Sequence, residues 1–136
     1  VGPHEVSYMI GAYFTLAQAD HLSLDLIMRL GHEVQPDKNL TDSWRMVNVV
    51  VGIHRAPDWQ EVPRLMERWL DSFKEAGPGV GATEAFKQFE EIHPFRDGNG
   101  RVGNLIYNYL NDTYAPGELV FPPNLWHDPR REGIQL

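Results

Sequence analysis

Apolar residues along this chain recur mostly in steps of three and four, the period of a helix with one buried face. Val6, Met9, Ile10, Tyr13, Phe14 and Ala17 form the first stripe. A second helix is expected from His21 to Leu30, with Asp20 or Ser23 as its cap and Gly31 ending it. The clearest stripe joins Val62, Leu65, Met66, Trp69, Leu70 and Phe73 behind Asp58 as N-cap, with Pro63 in a first turn where a missing N–H is tolerated. Ala82, Ala85, Phe86, Phe89 and Ile92 make another, which should stop near His93 because Pro94 disfavours helix in the residue before it. Val102, Leu105, Ile106, Tyr109 and Leu110 then resume the period. One stretch departs from it. Met46 to Ile53 is dense in β-branched residues and predicts a short strand or hairpin, whose exposed edge can accept an extended peptide.

The pattern predicts a mainly α-helical fold, and the 136 residues are most simply one domain. The breaker-rich stretch Ala76 to Gly81 is short enough to be a turn between helices. A net charge of −7 argues against a broad nucleic-acid footprint. Without cysteine there are no disulfides or thiolate metal sites, which suits the cytoplasm. No apolar run spans a bilayer, and the start is unlike a signal peptide, so no membrane role is expected. His4, His21, His32, His54 and His127 lack metal-ligand spacing and read as surface or capping residues. Trp44 and Trp59 flank the strand-like stretch and can frame a partner groove. Arg55 to Trp59 reads as a turn followed by a cap.

Chemistry concentrates between the last two helices, in His93-Pro94-Phe95-Arg96-Asp97-Gly98-Asn99-Gly100-Arg101. His93 is the base that works near neutral pH without a large shift. Asp97 offers an oxygen ligand to Mg²⁺. Gly98 and Gly100 let backbone approach phosphate oxygens, Asn99 adds an amide donor, and Arg101 adds a forked cation. Phe95, apolar in a polar loop, is read as its anchor to the core. Alone, a His-Pro step or an Asp-Gly-Asn-Gly turn is usually structural. Joined at the amino end of a helix, where unpaired N–H groups attract anions, they point to phosphoryl or nucleotidyl transfer. An EF-hand fails on these residues, since Arg101 cannot bind calcium and Val102 stands where glycine is required. A P-loop fails because Asn104 and Leu105 replace Lys and Ser/Thr.

These nine residues resemble the signature of Fic domains, His-x-Phe-x-(Asp/Glu)-Gly-Asn-Gly-Arg-x-x-Arg. The resemblance extends over about residues 41–112, including Arg45 to Gly52 and Glu61 to Met66. It implies a helical domain with a β-hairpin flap at about residues 45–54 beside the loop 93–101. It further implies transfer of AMP from ATP to a hydroxyl of a target protein. His93 would deprotonate that hydroxyl and Asp97 would hold Mg²⁺. Gly98, Asn99, Gly100 and Arg101 would cradle the phosphates, while Val49, Val50 and Val51 of the flap would hold the target's main chain.

The departure is Asn104, where the family's second arginine is expected. An amide there still bonds phosphate but carries no charge, which brings relatives with a repositioned donor into play: Doc-type kinases and phosphocholine or UMP transferases. The Gly-Asn-Gly-Arg core resembles the AMP-transferring branch more than the Ala-Asn-Lys-Arg of Doc. A non-catalytic nucleotide- and peptide-binding module is the other class, and intact His93 and Asp97 argue against it. Family members are often restrained by a glutamate in a Ser/Thr-x-x-x-Glu-Gly/Asn helix. Here Asp128 to Gly133 comes nearest, but Glu132 would lack its arginine partner at 104. The expectation is therefore control by a separate antitoxin-like protein, or none, in a toxin of its own cell or an effector delivered into another.

Overall fold

The computed structural model describes residues 3–115 and 117–122. In order these form α1 (Pro3–Ala17), α2 (Leu24–Val34), a hairpin of β1 (Val50–Val51) and β2 (His54–Arg55), a 3-10 turn (Trp59–Glu61), α3 (Val62–Phe73), α4 (Val80–Ile92) and α5 (Asn99–Leu110). The inhibitory-type stretch Asp128 to Gly133 lies outside the described residues. α5 sits between α4 and α2, with α3 outside α4 and α1 outside α2. The helix faces expected from Val62 to Leu110 are the ones that build the core. Val62, Met66, Trp69, Ala82, Ala85, Phe89, Val102 and Ile106 are at most 2% exposed. Trp69 Nε1 also donates to the Ala85 carbonyl at 2.8 Å, so the largest core side chain leaves no unsatisfied donor.

The hydrophobic stripe assigned to α1 is rotated. Ala12 and Leu16 are fully buried, whereas Val6, Ile10 and Phe14 are 48%, 52% and 57% exposed. Both rows are apolar, and periodicity alone cannot choose between adjacent apolar faces of one helix. The second helix also differs from expectation. It starts at Leu24, capped by Ser23, whose hydroxyl accepts from Leu26 N at 3.1 Å. It then runs through Gly31 to Val34 instead of ending at that glycine. Gly31 has a packing role: a Cβ there would stand 2.2 Å from Phe95 Cε1.

The strand expected over residues 46–53 is a two-residue ladder, with Val50 opposite Arg55 and Val51 opposite His54. Gly52, at φ 59°, supplies the positive φ that opens a tight hairpin turn. The preceding backbone is claimed elsewhere, since the Val47 carbonyl accepts from Arg45 Nη1 at 2.9 Å. Arg55 lies in β2 rather than in a turn. Trp44 lines a cavity of about 330 Å³ together with Leu40, Met46 and Arg96, although most of its ring is turned into the core. It is 7% exposed, with its ring centroid 5.6 Å from that of Phe95 in the core. Asp58 precedes the 3-10 turn without a side-chain cap bond, and α3 begins three residues beyond that turn's start.

The tight Gly31–Phe95 contact gives a direct test. Gly31→Ala should lower unfolding stability by about 2 kcal/mol through overpacking. Urea denaturation of the two proteins checks this.

Candidate active site

α4 ends where Pro94 follows His93. His93 adopts a left-handed conformation (φ 53°, ψ 63°) while its N–H still closes the last helical bond to the Phe89 carbonyl at 3.0 Å. That conformation is unfavourable for a residue with a Cβ, so it needs support from outside. Arg45 gives it. Its Nε donates to the His93 carbonyl at 2.6 Å, and its Nη2 donates to the Ile92 carbonyl at 3.1 Å and the Pro57 carbonyl at 2.6 Å. Its own N–H reaches the Pro94 carbonyl at 2.9 Å. Arg45 is 4% exposed, and burial lowers its pKa against a smaller opposing pull from Asp58.

The imidazole is half-buried, with Nδ1 3.3 Å from the Glu90 carbonyl oxygen. A carbonyl can only accept, so this contact favours the proton on Nδ1 and leaves the Nε2 lone pair open. Burial lowers the His93 pKa below 6.5; the charges of Arg45 and His54 lower it further, while the Glu90 carbonyl and Asp97 oppose. The lowered pKa favours the neutral ring at pH 7.

The loop is fastened at Phe95, which is 1% exposed against Gly31, Trp44 and Phe89. Asn99 closes it: Oδ1 accepts from Phe95 N and Nδ2 donates to the Phe95 carbonyl, both at 2.8 Å. The side chain expected to donate to phosphate thus has its oxygen and one amide N–H engaged inside the loop, and Asn99 is 2% exposed. Gly98 caps α5 at φ 80°, and a Cβ there would come within 2.9 Å of Val34 Cγ2. The first intrahelical bond is Val102 N to the Gly98 carbonyl, so the N–H groups of Asn99, Gly100 and Arg101 lack helical acceptors.

The end of α2 and the turn after it hold this cradle from the other side. Val34 O accepts from Arg101 Nη1 at 2.8 Å, and Gln35 Nε2 donates to Asp97 Oδ2 at 2.9 Å. Asn39 Nδ2 bridges the Gly31 and Asp97 carbonyls, each at 2.8 Å. Asp97 Oδ1 accepts from Gly98 N at 2.8 Å, and the carboxylate remains exposed with lone pairs to spare. Asn104 is half-exposed, and its Oδ1 accepts from Asn108 Nδ2 at 2.7 Å. Asn108 is fully buried and also bonds Thr113 and Val120.

In the flap, Val49 and Val51 are half-buried and Val50 is 66% exposed. The flap is tied to the loop by Arg45 and by His54, whose Nε2 is 3.0 Å from the Glu91 carbonyl oxygen. Sequence reading passed over Gln35, Asn39, Arg45 and Glu90 as site residues. Arg45 had a signal, as a cation beside a β-branched run. Gln35 and Asn39 had none, because their partners at Asp97 lie 62 and 58 positions away.

A family model described as Fic/DOC family matches residues 13–110, and the chain belongs to that family. The protein adenylyltransferase Fic of Drosophila persimilis is 38% identical over 86 residues, covering 60% of this chain and 16% of that protein. Its counterpart in Drosophila erecta is 36% identical over 92 residues, covering 64% and 18%. The chain thus spans less than a fifth of these curated relatives. The crystal structure of a Fic family protein from Desulfovibrio desulfuricans G20 aligns with TM-score 0.71 and 25% identity, over 88% of this chain and 40% of that one. The helices and two-stranded flap are therefore a Fic fold. No helix among the described residues is long and apolar enough to cross a membrane.

Glu90 is the one buried acid among the described residues, 6% exposed with Oε1 unpartnered beside Gly103. Burial pushes its pKa from 4.5 up to about 7. A carboxyl that binds its proton more tightly when folded loses stability as pH rises from the unfolded pKa through the folded one. The fold should weaken between pH 4.5 and about 7 by roughly 3 kcal/mol from this group. Glu90→Gln should flatten that dependence, as read from denaturation midpoints across the range.

Proposed function

We propose that this domain transfers AMP from ATP to a Ser, Thr or Tyr hydroxyl of a target protein. The observation that carries the reading is a half-buried His93, its Nδ1 set against the Glu90 carbonyl so that Nε2 is open, at the head of the loop that leads into the Gly98-capped amino end of α5. The hydroxyl oxygen bonds to the α-phosphorus while the bond from that phosphorus to the pyrophosphate oxygen breaks. His93 Nε2 takes the hydroxyl proton, and the electron pair leaves with pyrophosphate. The N–H groups of Asn99, Gly100 and Arg101, with the Arg101 guanidinium, meet the phosphate oxygens as charge shifts toward the leaving group. Little covalent work falls to the protein, so positioning by the fastened loop supplies most of the effect.

Asp97 fits Mg²⁺: it is an exposed, hard oxygen ligand at the mouth of an anion cradle. Among the described residues no three His, Asp or Glu side chains cluster as a metal cage, so the ion would share Asp97 with phosphate oxygens and water. Its contribution when bound is to offset phosphate charge. The target's main chain lies along the flap at Val49 to Val51 by strand addition. The relatives named adenylyltransferase support AMP as the transferred group.

Asn104 supports a second reading, in which the donor lies differently and phosphate, UMP or phosphocholine is transferred. With no cation at 104, the distal phosphates lose one charged contact. The same substitution supports control by a separate inhibitory protein, since no arginine stands there for an internal glutamate.

Intact-mass spectrometry after incubation with Mg²⁺ and each nucleotide donor, with and without a cell lysate, separates these readings. One AMP unit gained by a protein, and lost with His93→Ala, is the expected result. A phosphate or phosphocholine gain would replace AMP transfer with the second reading. Because the His93 pKa is lowered, transfer should persist below pH 6.5 rather than fall off there. Asn104→Arg should tighten ATP binding about tenfold, the scale of one added charge-assisted phosphate contact. Calorimetric titration with ATP reads it, and unchanged affinity would remove position 104 from donor binding.

A further inference from the structure

Below β2, between α3 and α4, lies a cleft of about 420 Å³. Its polar lining comprises His54 and Arg55 from β2, Arg68 and Ser72 from α3, and Gln88 and Glu91 from α4. The chain as a whole carries a net charge of −7. Around this cleft the balance reverses, with two guanidinium groups against the one carboxylate of Glu91. Arg68 is exposed and makes no ion pair or hydrogen bond among the described residues. Arg55 touches Asp58 at 3.4 Å between side chains 71% and 60% exposed, a pair weak enough to exchange for another partner.

The cleft and the catalytic loop share their walls. Glu91 and Ile92 line the cleft and directly precede His93 in the chain. Pro57 lines it too, and Arg45 Nη2 bonds the carbonyls of both Pro57 and Ile92. A group seated here is therefore held at a fixed distance from the His93 imidazole. The cleft volume exceeds what one short side chain needs, and Ser72 and Gln88 add hydrogen-bonding groups to the two cations. Glu91 keeps the excess of positive charge small, which suits a singly charged carboxylate rather than a phosphate group.

We infer that this cleft is a specificity pocket for an acidic side chain, Asp or Glu, of the target polypeptide, a fixed number of residues from the acceptor hydroxyl. The inference rests on the reading above that the target chain lies along the flap. An Asp or Glu seated against Arg55 and Arg68 would set which hydroxyl reaches His93. It would select among the many Ser, Thr and Tyr residues on a protein surface.

An array of peptides tests this directly. Each carries a central Ser, Thr or Tyr, with Asp, Glu, Ala or Lys placed at each flanking position. It is probed with fluorescently labelled protein in the absence of nucleotide. Acidic peptides should bind at least fivefold more tightly at one offset. That preference should persist in His93→Ala and vanish or turn toward Lys in Arg68→Glu. Binding that ignores the acidic residue, binding unaltered by Arg68→Glu, or no binding to any peptide overturns the inference. Adding Mg²⁺ and ATP to the same array reads transfer separately. Acid-dependent binding without any adduct would sink AMP transfer and leave the pocket standing, whereas adducts formed without acidic preference would do the reverse.

Discussion

Arg45 carries a guanidinium into the interior, and its hydrogen bonds all go to carbonyl oxygens: His93, Val47, Pro57 and Ile92. A buried cation is costly unless its donors are satisfied, and here four of the five planar N–H groups meet backbone carbonyls at the ends of regular elements. Those carbonyls belong to the end of α4, the approach to the flap and the turn into α3. One side chain thus fixes the left-handed bend at His93, truncates the first flap strand and aligns the two. Lysine would bring the charge without the planar fork, so few substitutions could do the same work.

A second set of constraints holds the loop from below. Phe95 fits because Gly31 has no side chain, and Asn99 spends both ends of its amide on the Phe95 backbone. Gln35, Asn39 and the Val34 carbonyl then steady Asp97 and Arg101. The groups left without helical or loop partners are the N–H groups of the first α5 turn, the open edge of the Asp97 carboxylate and His93 Nε2. The division is physical: polar atoms that could have bonded a ligand are used internally where rigidity is needed.

Much of this was legible in the sequence, and the reasons for the rest are specific. Stripes from Val62 onward gave the core because each has a single apolar face. α1 misled because Val6, Ile10 and Phe14 form a second one. Gly31 looked like a helix stop, since local statistics cannot register an aromatic ring brought in from 64 residues away. The nine-residue loop stood out as a candidate site, as its parts are adjacent in sequence. Arg45, Gln35 and Asn39 act across the fold, and no local pattern marks a hydrogen bond to a distant carbonyl. The Asn99 side chain was assigned to a ligand for the same reason: its real partner is its own loop.

Asn104 meets Asn108, and Asn108 in turn grips the backbone at Val120 and the Thr113 hydroxyl. The residue proposed above to bear on donor choice is therefore also a strut for the segment that follows α5. A side chain at 104 then answers to two demands, that of the proposed nucleotide and that of the anchorage of this segment. Under the proposed reading, donor preference and attachment of the segment from Thr113 to Val120 are linked variables, and a change selected for one will carry a change in the other.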